Sequence, residues 1–330
     1  MMGLNWGGSL YPWKSAAVIC TIVVGVVALM AFLCWETFMP LKEPLVPVHL
    51  FRNRGWNAAT VLSGVGASMY YAFAIVWPSL CSLMWGHTDD LMYAPWLSTF
   101  VALFIVLGEI VGGSLANRIR HLKWQCLAAA MLGGAFFASV ATCNPDTRVR
   151  ACVLVSLGVF FLGWLESLAI SLITLTAKDQ SNLGTSGGLA GSILFFVVSI
   201  SSTVYTVVLR ARIEVTIPAA VTPVVEQAGL PASSVAAFIN GFTTGSFANI
   251  TGLTDDILAV GTHAFYVGNF NADRTVFLVT IAFTGLACIA GILLPNDVDK
   301  YLTDRVHVTL HQGQNETALA GERREKKIAE

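Results

Sequence analysis

The sequence predicts an all-α polytopic membrane protein with about seven transmembrane helices. Three observations lead there. Hydrophobic residues make up 55% of the 330 and charged residues only 12%, against about 25% charge in a soluble domain. Seven windows, roughly 15–35, 56–79, 93–116, 124–143, 151–174, 187–209 and 275–294, are long and apolar enough to cross a bilayer, for which a helix needs about 20 residues. The alternating pattern of a membrane barrel is missing, and lipid cannot satisfy free backbone amides, so the spans must be helices.

The elements follow in order. Ala16 to Cys34 is uncharged, too long for a signal-peptide core and without an A-x-A site, so it stays as the first span. The second carries Tyr70 and Tyr71 at mid-depth, with Asn57, Ser63 and Ser68 on the same helix. A hydroxyl-bearing ring suits an amphipathic organic ligand. Gly108 and Gly112, with Gly113 beside them, give the third span a face for close helix packing. Ala130, Gly134 and Ala138 do the same for the fourth, and Gly187 and Gly191 for the sixth. Residues 211–274 form an outer segment punctuated by Pro218, Pro223 and Pro231, with short helices expected on the membrane or bundle surface. Its Asn249–Ile250–Thr251 is a possible glycosylation site. The tail after the last span is polar and ends in a basic cluster.

Lys and Arg in the connections set the orientation. With the N-terminus outside, nine basic residues near the spans are cytoplasmic and six are external. Trp13, Trp35, Trp56, Trp77, Trp96 and Trp124 lie near span ends, where an indole prefers to sit, while Trp164 is deep in the fifth span.

Two acids sit well inside spans, Glu109 in the third and Glu166 in the fifth. An intramembrane carboxylate usually faces a cavity or partner because burying it in lipid is costly. Glu109 is seven residues and Glu166 eight from the inner span end, about 10–12 Å deep. A carboxyl there can carry a proton. The seven cysteines form no CxxC pair and read as buried small hydrophobes, with Cys143 and Cys152 the one pair that could meet near a membrane face. No nucleophile–base constellation, metal-ligand spacing or phosphate loop stands outside the lipid, so neither enzyme activity nor a cofactor is expected. No basic stripe points to nucleic acid.

Gly113–Ser114–Leu115–Ala116–Asn117–Arg118–Ile119–Arg120–His121 resembles the cytoplasmic G-x-L-A-D-R-x-G-R loop of the major facilitator superfamily. Asn117 stands where the family has Asp, and Arg120 where it has Gly. Leu4–Asn5–Trp6–Gly7–Gly8 is similar to the loop before the second linker helix of 14-span drug:proton antiporters, and Gly184 to Ser192 to the fifth-helix start of their C-terminal half. The long outer segment and Asp297–Val298–Asp299–Lys300–Tyr301–Leu302 resemble the fungal trichothecene efflux pump and siderophore transporter branch.

The resemblance implies an outer segment 1–14, a linker helix and cytoplasmic loop 15–55, a six-helix C-terminal bundle 56–294 with outer loop 211–274, and a cytoplasmic tail 295–330. It implies proton-coupled transport of an amphipathic toxin, drug or siderophore-like molecule in a plasma membrane. Tyr70, Tyr71 and Glu166 would line the substrate and proton path, with Glu109 nearer the interface between halves. Gly113, Asn117, Arg118 and Arg120 would form the cytoplasmic gating loop. Such transporters rock two halves around a central site, so an absent N-terminal bundle implies a complementary half or self-association as partner and no transport by the chain alone. A seven-helix receptor and a non-transporting membrane remnant are the alternatives. The last span holds no Lys for a retinal Schiff base.

Overall fold

The computed structural model describes residues 3, 6–7, 11–39, 46–86, 92–177, 183–247 and 250–298. Its long elements are α1 (Ala16–Phe38), α2 (Arg54–Trp85), α3 (Tyr93–Ile119), α4 (Leu122–Val140), α5 (Arg148–Thr176), α6 (Leu183–Gln227), α7 (Ala232–Thr244) and α8 (Asp255–Leu293), with a short 3₁₀ turn at Val48–Arg52 before α2. The chain is an all-α polytopic membrane protein. Six of these helices, α1, α2, α3, α5, α6 and α8, are long and apolar enough to cross a bilayer. α4 is shorter, 19 residues, but that still reaches about 28 Å, and both its ends are level with those of its neighbours.

Hydrogen bonds show which ends share a level. At one end of the bundle Asn53 Nδ2 donates to Thr176 O (2.6 Å), Trp56 Nε1 to Ser186 Oγ (2.7 Å) and Lys123 Nζ to Asn296 Oδ1 (2.9 Å). These gather the starts of α2, α4 and α6 with the ends of α5 and α8. At the other end Arg274 Nε donates to Ala141 O, Arg212 Nε to Thr275 Oγ1 (3.0 Å) and Trp85 Nε1 to Pro145 O (3.3 Å). Each of α2 to α5 therefore crosses once between the two levels. α6 and α8 cross and then continue past the second level.

The core is built where α2, α4 and α8 meet. Phe73 of α2 stacks between Phe137 of α4 (centroids 3.7 Å apart) and Phe277 of α8 (4.9 Å). All three rings are fully buried. α3 and α5 pack in parallel through glycine. A Cβ on Gly108 would stand 2.0 Å from Phe160 O, and one on Gly112 would stand 2.8 Å from the Trp164 Cα. The pair predicted for close packing thus makes it. Gly134 likewise receives Thr284 of α8, whose Oγ1 would lie 2.2 Å from an added Cβ.

Several expectations are corrected. Gly187 and Gly191 make no close helix contact: a Cβ on either meets nothing within 4 Å. α6 turns a different face, with Ser186 and Ala190, into the bundle. Trp56 and Trp77 are not interfacial anchors but core residues, at 0% and 1% exposure, because each indole N–H finds a protein acceptor, Ser186 Oγ and Leu97 O. Trp13, Trp35, Trp96 and Trp124 are exposed. Cys143 and Cys152 are free thiols.

Residues 211–274 contain one short packed helix, as expected, but most of the segment is not a loop. They are mostly the far ends of α6 and α8 with α7 packed beside them. A second apolar core joins them, built on Ile217, Val221 and Val225 of α6, Phe238 of α7, and Ile257 and Phe265 of α8. Asn249 and the tail beyond Val298 lie outside the described residues. α1 stands largely alone, with most of its side chains outward.

Candidate functional site

The predicted path residues come from three helices. α3 and α5 run side by side in a register that pairs Gly108 with Phe160, Gly112 with Trp164, and Gly113 with Ser167. Glu109 and Glu166 therefore share the α3–α5 seam. That register sets Glu166 about one turn, roughly 6 Å, closer to the α3–α4 turn than Glu109. The seam closes because both helices give way at glycine: an added Cβ on Gly163 of α5 would stand 2.2 Å from Ile105 O and 3.1 Å from Glu109 N.

α2 completes the group. Tyr70 interacts electrostatically with Tyr71, Glu166 and Glu109, and Glu166 with Glu109. The Tyr70 and Tyr71 rings meet edge to face at 5.4 Å. All four side chains are half-buried, so the group opens from the bundle surface instead of being sealed in the core. It offers two carboxyls and two phenols, bounded by apolar helix surface. That set places polar groups beside apolar helix surface.

The hydroxyls named on α2 divide. Ser68 Oγ donates to Gly64 O (2.8 Å) and Asn57 Nδ2 to Phe51 O (2.5 Å), so both are committed to backbone. Ser63 Oγ is buried and has no partner among the described residues.

The resembled loop residues Gly113, Asn117 and Arg118 sit exposed on the last turns of α3, and Arg120 caps it. Arg120 has φ 56° and ψ −161°, and His121 follows at φ 53°. The first is a conformation open essentially to glycine alone, at the position where the resembled loop has Gly.

Two features escaped the sequence reading. Asp273 of α8 is only 8% exposed, although its place before the last apolar window put it in the outer segment. The signal was available: Asn269, Asp273, Val276, Phe277 and Thr280 repeat at helical spacing and all are buried. Gln125 of α4 is the other, 9% exposed and bonded to two helices. A groove of about 620 Å³ lies away from the carboxyl group, between the parts of α6 and α8 that extend past the bundle, beside Val224, Val260, His263 and Asn271. No predicted path residue lines it.

The long apolar helices define a multi-pass membrane protein. The family model for the fungal trichothecene efflux pump (TRI12) matches residues 1–324, and the chain belongs to that family. It is 26% identical over 321 residues to the trichothecene efflux pump TRI12 of Fusarium sporotrichioides, covering 96% of this chain and 53% of that protein. It is 28% identical over 313 residues to the MFS-type transporter prx5 of Penicillium rubens, covering 92% and 56%. The TRI12 pump of Trichoderma arundinaceum is 24% identical over 316 residues, covering 93% and 52%. The chain spans about half the length of these relatives. Two of them are described as efflux pumps and one as an MFS-type transporter.

Proposed function

We propose that this chain forms one half of a proton-coupled exporter for an amphipathic small molecule of the toxin, drug or siderophore type. The observation that carries the reading is the convergence of Glu109, Glu166, Tyr70 and Tyr71 from α2, α3 and α5. Glu166 is the proton carrier, and the tyrosine pair is the wall against which the ligand rests. Export is the direction given by the names of two relatives. Because the group is half-buried at the bundle surface, it supplies one wall of a path. The second wall is a complementary six-helix bundle or a second copy. The bundle lies in the plasma membrane, with the Arg118–Lys123 turn cytoplasmic.

The test is the Glu166→Gln variant in a chimera carrying the first half of the Fusarium sporotrichioides relative ahead of this chain. Flux that depends on pH in the parent chimera is expected to lose that dependence in the variant. An unchanged pH profile removes Glu166 from the proton path.

A further inference from the structure

The turn between α3 and α4 is held in its strained form by a side chain that also bonds α5. Arg120 and His121 are the only non-glycine residues with positive φ among those described. The first lies in a region that side chains rarely enter, and such conformations persist only where surrounding contacts hold them. The contact here is Gln125. Its Nε2 donates to Arg120 O at 2.7 Å and to Ala116 O at 3.4 Å. Its Oε1 accepts from Trp164 Nε1 at 3.3 Å. Two carbonyls on one side and an indole N–H on the other fix the orientation of the amide, since only the nitrogen can donate and only the oxygen can accept.

Trp164 is itself tightly placed. Gly112 of α3 abuts its Cα and ring, and Phe160 packs edge to face on it at 6.2 Å. It lies two residues before Glu166 on the same helix. Any shift of α5 relative to α3 at this level changes the Trp164–Gln125 bond, and the other end of Gln125 holds the turn.

We infer that Gln125 is a positioning residue that couples α5 at Trp164 to the backbone of the Arg120–His121 turn. It works only with both functions of its amide, acceptor toward α5 and donor toward the turn. This deepens the proposed function by connecting the helix that carries Glu166 to the turn assigned to the cytoplasmic face. It needs no transport to be tested, so its failure and the failure of the transport reading are separable.

The experiment is hydrogen–deuterium exchange on the purified full chain. Three amides report the turn: Arg120 N to Ala116 O (3.1 Å), Trp124 N to His121 O (2.9 Å) and Gln125 N to His121 O (3.1 Å). Trp164→Phe removes the α5 hydrogen bond while keeping an aromatic ring beside Gly112 and Phe160. Gln125→Glu keeps an acceptor for Trp164 but cannot donate to the carbonyls when ionised. Gln125→Leu removes both. Trp164→Phe is expected to raise exchange in 116–125 about tenfold, the effect of one buried hydrogen bond, and the two Gln125 variants at least as much, with protection in α6 and α8 unchanged. Adding Arg120→Gly, which adopts the conformation without strain, is expected to restore protection in each. Unchanged exchange at the turn in Trp164→Phe overturns the coupling. Failure of Arg120→Gly to restore protection overturns the role of strain.

Discussion

Glycine positions separate residues that look alike in sequence. Gly108 and Gly187 both begin a small-residue pair at four-residue spacing, yet only Gly108 stands against another backbone. Gly108→Ala should therefore lower thermal stability in detergent by about 1–3 kcal/mol, because Phe160 O cannot move aside cheaply. Gly187→Ala should be neutral or stabilise by up to about 1 kcal/mol, since alanine is the better helix former and nothing occupies the space. Melting of the two variants side by side checks this. Equal losses would mean that α6 packs through its glycine face. The spacing alone did not distinguish the two, because it marks where close approach is allowed and not where a partner helix lies. Asp273 was missed for a related reason. A hydropathy window sees the polar residues Asn271, Asp273 and Arg274 as the end of a span, whereas their phase on the helix puts Asp273 inward and Arg274 at the C-terminal end of α4. Glu109 and Glu166 were legible because each interrupts an otherwise apolar run, and the α3–α5 register explains why both are tolerated on one seam.

The elements inside the membrane were read almost to their ends, and those outside were not. The windows 187–209 and 275–294 fall on α6 and α8, but α6 runs to Gln227 and α8 begins at Asp255. A helix past the lipid needs only one apolar stripe, and Ile217, Val221 and Val225 supply it at i, i+4 and i+8. The prolines at 218 and 223 concealed this, although both lie within the continuous helix. α7 joins the stripe through Phe238, whose ring would stand 2.4 Å from a Cβ on Gly261 of α8, and through Phe242, which stacks on Phe265 of α8 at 4.0 Å. Phe238→Ala is expected to cost about 3–5 kcal/mol in this outer layer. It should free α7 while leaving the α2–α4–α8 aromatic stack protected. Amide exchange across 232–244 and 130–140 tests it. Simultaneous loss of both regions would show that the two cores unfold as one unit.

At the scale of the whole molecule, one family membership and one seam carry the account. The apolar surface of the bundle is ambiguous by itself, because lipid and a second helical wall both accept it. The polar seam is not ambiguous in that way, since carboxyls facing lipid are costly. That is why the residues proposed for the path stand out in the sequence while the surface proposed to complete it does not. The most direct measurement is the reactivity of single cysteines toward a membrane-impermeant maleimide, made in a cysteine-free background and in membranes containing the transport-competent chimera. Glu166→Cys is predicted to be modified, and Ile289→Cys, exposed on the outer face of α8, is predicted to be protected by lipid. An inert cysteine at 166 beside a reactive one at 289 would contradict a water-filled transport path along the α3–α5 seam.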